Sequence, residues 1–215
     1  MILFYAAGAS SQAPHILLRE AGLPFALERV DLAAHRWSGG EYRQVCSKGY
    51  VPALRLDSGD LLTECAVILQ WIADQDPSRN FLPPVGSLAR YHALAWLTFI
   101  ATEVHKTFIT PDRHDGVAAN FLANTPDGQE QTRIRVSPRL AWVDRQLDGR
   151  RYLAGDHMTC PDVYLFTMLT WALRHALDLG TWPSLAAFYD RMMDRPAVAE
   201  TLEVEGAPHA LIAAD

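Results

Sequence analysis

The chain has 215 residues, 49% of them hydrophobic and 20% charged, which is the composition of a globular protein and excludes a disordered or fibrous one. A net charge of −6 with no basic stripe argues against a nucleic-acid partner. The cysteines, Cys46, Cys65 and Cys160, form neither a CxxC pair nor a disulfide framework, and there is neither a basic leader nor an apolar run long enough to cross a bilayer. The expectation is a cytoplasmic protein without a membrane partner.

Residues 2–5 read as a short buried strand, residues 6–11 as a loop of small residues, and the following stretch as an amphipathic helix ending near Gly22. A loop of Gly, Ala and Ser at a helix N-terminus presents unpaired N–H groups and hydroxyls, an arrangement that suits an anionic atom. Residues 25–32 read as a second strand, so the opening is a βαβ unit with parallel pairing. Gly39-Gly40 is expected to precede a short helix. A third strand begins at Tyr50-Val51-Pro52-Ala53-Leu54, and the turn Asp57-Ser58-Gly59-Asp60 leads to a fourth at Leu61-Leu62. Thr63 is placed to cap a helix over residues 64–74, with Val67, Ile68, Trp71 and Ile72 as its buried face.

Three prolines and a glycine in residues 77–86 mark a linker. Beyond it the pattern is helical: residues 87–108, a broken stretch over 110–128 that is helical in part, and residues 129–147 with a kink or restart at Pro138. Thr159-Cys160-Pro161-Asp162 is a capping-box variant opening a helix over residues 163–177 that is apolar nearly all round and therefore central. Residues 182–193 and 196–203 complete the bundle, and residues 205–215 form a loosely held tail. The expected architecture is α/β plus all-α: a domain with a mixed four-stranded sheet over residues 1–76, a linker over 77–86 and a helical domain over 87–215.

The segments Leu3-Phe4-Tyr5 with Gly8-Ala9-Ser10-Ser11, Lys48-Gly49-Tyr50-Val51-Pro52-Ala53-Leu54, Leu61-Leu62-Thr63-Glu64, Ile100-Ala101-Thr102-Glu103-Val104-His105-Lys106 and Asp162-Val163-Tyr164-Leu165-Phe166-Thr167 occur in an order and spacing that resembles the glutathione S-transferases, and within them the bacterial beta class. The resemblance covers nearly the whole chain. It implies a thioredoxin-like first domain, a homodimer, glutathione as co-substrate with no metal, and transfer of the glutathione thiolate to hydrophobic electrophiles. Glutathione-dependent reduction or peroxidase chemistry, and a ligand- or partner-binding protein that keeps the fold, are the alternatives.

The resemblance also implies site residues. The beta class typically has cysteine where Ser10 stands, which shifts the expected chemistry from thiol–disulfide exchange toward hydroxyl-assisted thiolate stabilisation. Ser10, Ser11 and Tyr5 compete for that role, against the simpler reading of Ser10 as a helix cap. Val51 would pair through its backbone with glutathione beside Pro52, expected to be cis. The Cys65 N–H would hold the γ-glutamyl carboxylate, and Glu64 its ammonium. His105 matches a histidine near the thiol. His35, Lys106 and Arg133 take positions associated with glutathione. Phe108, Ile109, Tyr164 and Trp171 are candidates for the electrophile's wall. His15 and Cys160 read as packing residues, and Cys46 has no assigned role.

Overall fold

The computed structural model describes residues 1–109 and 122–208. Strand β1 (Ile2–Tyr5) lies at the centre of a four-stranded sheet with order β2-β1-β5-β6, where β2 is Ala26–Arg29, β5 Ala53–Arg55 and β6 Leu61–Thr63. β1 pairs parallel with β2 and antiparallel with β5, which in turn pairs antiparallel with β6, so the sheet is mixed. Alternation along β1 sorts its side chains between two cores. Leu3 and Tyr5 join the main core under α1 (Gln12–Ala21) and α2 (Cys65–Gln75), while Phe4 faces the other way, against Trp37 at 5.1 Å and Tyr42 at 5.6 Å. Gly22 ends α1 with φ +65°, where its N–H caps Arg19 O and Leu18 O and a side chain would be strained.

Several local expectations are corrected. The second strand is four residues long, and Asp31 instead bridges Arg36. Residues 36–41 form a small hairpin of β3 (Arg36–Trp37) and β4 (Gly40–Glu41) before the single turn Tyr42–Gln44. The third strand begins only at Ala53, after a cis Val51–Pro52 peptide. Thr63 is the last residue of β6 and does not cap α2; Glu64 stands at that junction with φ +69°. Val67 is 46% exposed, because Leu69 shares the buried face with Ile68 and Ile72 instead.

After a short turn at Pro77–Arg79, the chain is helical among the described residues. α3 (Leu88–Phe99), capped by the Ser87 hydroxyl accepting from Arg90 N, runs on through a π-helical stretch Ile100–His105 into α4 (Lys106–Phe108). The helical reading of residues 110–128 falls largely outside the described residues. The Thr125 hydroxyl accepts from Gly128 N to open α5 (Pro126–Leu147), three residues earlier than expected. This helix continues through Pro138 without restarting, and the hydroxyl of the preceding Ser137 donates back one turn to Arg133 O at 2.7 Å.

α6 (Cys160–Arg174) is the buried axis of the bundle: every residue from Cys160 to Ala172 is buried. Its capping box is closed by Asp162, whose carboxylate accepts from Thr159 N at 2.8 Å, the Thr159 hydroxyl at 2.7 Å and Leu153 N at 2.8 Å. Burial nevertheless raises the Asp162 pKa to about 6, outweighing those hydrogen bonds. α7 (Pro183–Met193) and α8 (Pro196–Glu205) follow, α8 two residues longer than expected; most of the tail, residues 209–215, lies outside the described residues.

The sheet and the helices are joined by apolar packing of α1 on α6 and α8 and by buried polar ties. Gly8 O accepts from Trp171 Nε1 at 2.8 Å and Arg174 Nη1 at 2.9 Å, and Gly8 N donates to Glu205 Oε2 at 3.1 Å. The other Glu205 oxygen lies 2.7 Å from His15 Nδ1, with both side chains wholly buried. His15 is thus more than packing: it receives a hydrogen bond from Arg19 on one nitrogen and faces a carboxylate on the other.

Candidate active site

A cavity of about 420 Å³ opens between the sheet and the helices. On the sheet side it is lined by Ala9 and Ser10 before α1, by Lys48, Tyr50, Val51 and Pro52 before β5, and by Thr63, Glu64 and Cys65 at the start of α2. The N-termini of α1 and α2 therefore open onto one space, and both turn positive dipole ends toward it. The helical side supplies Ala101, Thr102, His105, Lys106 and Ile109, with Tyr164 and Trp171 from α6. The π-helical stretch falls on this wall, a placement common for π turns.

The three candidate hydroxyls separate. Ser10 lines the cavity, and its hydroxyl donates to Val51 O over a long 3.4 Å. Ser11 is fully buried and turned inward, bonded to both Ala6 N and Ala6 O at 3.2 Å, so it closes the loop instead of facing the cavity. Tyr5 is 9% exposed and packs in the sheet core with its ring 6.0 Å from His15, away from the cavity. The N-cap Ser11 makes no side-chain cap bond, so capping does not explain either serine.

Of the remaining expected residues, Val51, Pro52, Glu64, Cys65, His105 and Lys106 all line the cavity. Two do not. His35 lies behind it, its Nε2 3.2 Å from Arg43 Nη2 and its ring against Gly49. Arg133 is held on the outer side of the helices by Glu130 at 2.6 Å and His175 O at 3.1 Å. Of the expected wall, Ile109, Tyr164 and Trp171 line the cavity, whereas Phe108 is fully buried against Trp171.

Charge is arranged unevenly around this space. Glu64 is ion-paired with Lys48 at the rim, a contact that also raises the lysine's pKa. Cys65 is buried with its Sγ 3.6 Å from Ser10 O, and burial pushes its thiol far up, so it stays protonated and unreactive. His105 sits with Nδ1 2.6 Å from the Tyr164 hydroxyl and its ring edge-on to Trp171. Burial, assisted by the neighbouring Lys106 charge, lowers its pKa to about 4, so the imidazole is neutral at physiological pH. The same burial raises the Tyr164 phenol. The helical wall is therefore polar but uncharged apart from Lys106 at its edge.

Lys48, Tyr50, Thr63 and Cys46 were not foreseen as lining residues; the first two stand immediately before Val51-Pro52, and that adjacency is the signal that could have found them. Among the described residues, no group of three or more His, Cys, Asp or Glu side chains is gathered to hold a metal, and no helix is long and apolar enough to cross a membrane.

Comparison with known proteins bears on the whole chain. Residues 9–75 match the family model for the glutathione S-transferase N-terminal domain, and residues 89–196 the C-terminal domain. Over 208 residues the chain is 43% identical to glutathione S-transferase GstA of Escherichia coli, covering 96% of this chain and 99% of that one. It is 34% identical over 206 residues to glutathione S-transferase GST-4.5 of Xanthomonas campestris, with coverage of 96% and 99%. Among solved structures it is similar to a sphingomonad glutathione S-transferase complexed with glutathione (TM-score 0.85, 39% identity, 96% and 99% coverage) and to the bacterial beta class enzyme of Sphingomonas chungbukensis (TM-score 0.86, 37% identity, 96% and 99% coverage).

Proposed function

The chain belongs to the glutathione S-transferase family, and from that premise we propose that it activates glutathione at Ser10 and joins the thiolate to hydrophobic electrophiles in the cavity between its sheet and its helices. It is a glutathione transferase; the particular residues and the class of acceptor are the proposal. The observation that carries the reading is the convergence of two helix N-termini, one bearing the Ser10 hydroxyl and the other the Glu64 carboxylate, on a cavity with an aromatic far wall.

A thiol of ordinary pKa, about 8.5, is only a few per cent ionised at neutral pH, and the thiolate is the nucleophile. Lowering that pKa by about two units takes roughly 2.7 kcal/mol. A hydroxyl hydrogen bond to a charged sulfur contributes about 1.5–3 kcal/mol, and a helix N-terminus about 0.3–1 kcal/mol more. Ser10 needs only to exchange its weak bond to Val51 O for one to the incoming sulfur. The Val51 backbone then runs beside glutathione's cysteinyl unit in the manner of an added strand. Glu64 exchanges Lys48 for the γ-glutamyl ammonium, the Cys65 N–H takes the γ-glutamyl carboxylate, and Lys106 lies at the edge for a second carboxylate. The acceptor's apolar part rests on Ile109, Tyr164 and Trp171 while neutral His105 offers a hydrogen bond without a competing charge.

Conjugation by a thiolate needs no redox-active cysteine, and the protonated Cys65 supplies none, which favours transfer over glutathione-dependent reduction. A cytoplasmic homodimer engaged in detoxification completes the reading; Val67, Leu88, Tyr91 and Ile134 are large apolar side chains that stay exposed in the single chain. The test combines calorimetry with glutathione and turnover of 1-chloro-2,4-dinitrobenzene. Ser10→Ala is expected to lower kcat/KM about tenfold to a hundredfold with little change in glutathione affinity, and to move the pH profile of the rate toward the free thiol's pKa. Absence of glutathione binding at millimolar concentration would refute the reading.

A further inference from the structure

The helical wall of the cavity has a second side. Thr102, Lys106 and Ile109 also line a neighbouring recess of about 410 Å³, so these three residues, spaced by four and three along the chain, form a ridge between two adjoining spaces. The recess is completed by Glu103, Thr107, Arg135 and Arg139. Among the described residues its lining carries Lys106, Arg135 and Arg139 against the carboxylate of Glu103.

The two arginines differ. Arg139 is committed: its Nη2 lies 3.0 Å from Glu103 and its Nη1 donates to Arg135 O at 2.9 Å. Arg135 donates to the Thr132 hydroxyl at 3.3 Å and makes no ion pair among the described residues. Its side chain is exposed, and its planar fork matches the two oxygens of a carboxylate. Lys106 stands on the ridge between this guanidinium and the first cavity.

We propose that the electrophile is an organic anion, with its reacting carbon in the first cavity and a carboxylate held across the ridge by Arg135. This rests on the transferase reading and narrows its acceptor class. In the reaction the glutathione sulfur forms a bond to the acceptor carbon, the halide leaves with the electron pair of the broken carbon–halogen bond, and the thiol proton passes to solvent. Arg135 sets which acceptors dwell in the site and takes no part in that exchange.

The experiment compares kcat/KM for 4-chloro-3-nitrobenzoate and for neutral 1-chloro-2,4-dinitrobenzene, in the full-length protein and in Arg135→Glu. One exposed ion pair is worth up to about fivefold, so reversing the charge is expected to lower the anionic-to-neutral ratio about tenfold. Added salt is expected to lower the same ratio in the unmodified protein. Arg150→Glu, the same charge change beyond the far end of α5, is expected to leave the ratio unaltered. A ratio unmoved by Arg135→Glu overturns the proposal. So does a raised KM for glutathione in that variant, which would assign Arg135 to glutathione's own carboxylate. Failure of both acceptors to react refutes the transferase reading instead. Quenching of tryptophan fluorescence by 4-chloro-3-nitrobenzoate then decides the anion site: weaker binding to Arg135→Glu supports it, and equal binding overturns it.

Discussion

The two walls of the cavity are built on different principles. Most of the sheet side comes from three brief segments, around Ser10, Val51 and Glu64, that bring backbone and polar side chains to the space. The helical side is made of large side chains whose positions depend on the packing of α6 against the rest of the molecule. A wall of backbone groups can recognise one fixed ligand through its peptide bonds, and its specificity survives side-chain change. A wall of packed aromatics offers shape and little direction, which suits an acceptor that varies.

The separation is not complete, since the sheet-side loop is itself clamped by helical residues, and removing the clamp tests how far the walls are independent. Glu205→Ala deletes the partner of buried His15 and the acceptor of Gly8 N. Each of the two donors left without its acceptor is expected to cost about 1–3 kcal/mol, read as a lower urea midpoint. Activity should fall further than the unfolded fraction explains. If turnover per folded molecule is unchanged, the loop does not depend on α8.

The helical wall's own charge state gives the next effect. His105 has a folded pKa of about 4 against about 6.5 unfolded, so between these values the unfolded chain binds the additional proton. Its contribution is fully present above about pH 6.5 and is lost as pH falls toward 4. The total is on the order of 3 kcal/mol. Denaturant midpoints should fall more steeply with falling pH over that window in the protein than in His105→Gln. A histidine resonance titrating near 6.5 for this residue would contradict the burial argument.

On the sheet side, Glu64→Gln keeps the shape and removes the charge. It is expected to raise the KM for glutathione about fivefold to tenfold, with a smaller change in kcat, in steady-state assays. The smallest effects are expected from His35→Ala and Arg133→Ala, whose side chains are engaged away from the cavity. Each should alter the KM for glutathione less than about twofold, on the scale of ordinary surface substitutions.

The same contrast governs what could be read from the sequence. The βαβ and ββα order, the helical second half and the capping box at Thr159 and Asp162 follow from local periodicity and turn chemistry, and they were legible. Ser10, Val51 and Glu64 were singled out through the family resemblance, since local pattern alone marks only the small-residue loop at the start of α1, and all three line the cavity. Thr63 looked like a cap because a hydroxyl before an apolar helix is the usual signal. The left-handed conformation of Glu64 extends β6 by one residue and moves the junction, and no side-chain pattern announces that. The hairpin at residues 36–41 has two-residue strands, too short for alternation to register. The buried pairing of His15 with Glu205 joins positions 190 apart in the chain, beyond the reach of any local pattern.

Gly8 carries a last consequence. Its peptide groups are gripped on both sides, the carbonyl by Trp171 and Arg174 and the N–H by Glu205, while a β-carbon there would meet Arg174 Nη1 at 2.9 Å. Gly8 precedes Glu205 by 197 residues, so during synthesis it emerges well before its partner. A nascent chain that has already folded its sheet still lacks the grip that sets the loop before Ser10. The loop is finished only when α8 docks, so a half-made molecule has a glutathione-side wall in outline and no set hydroxyl to hold the thiolate.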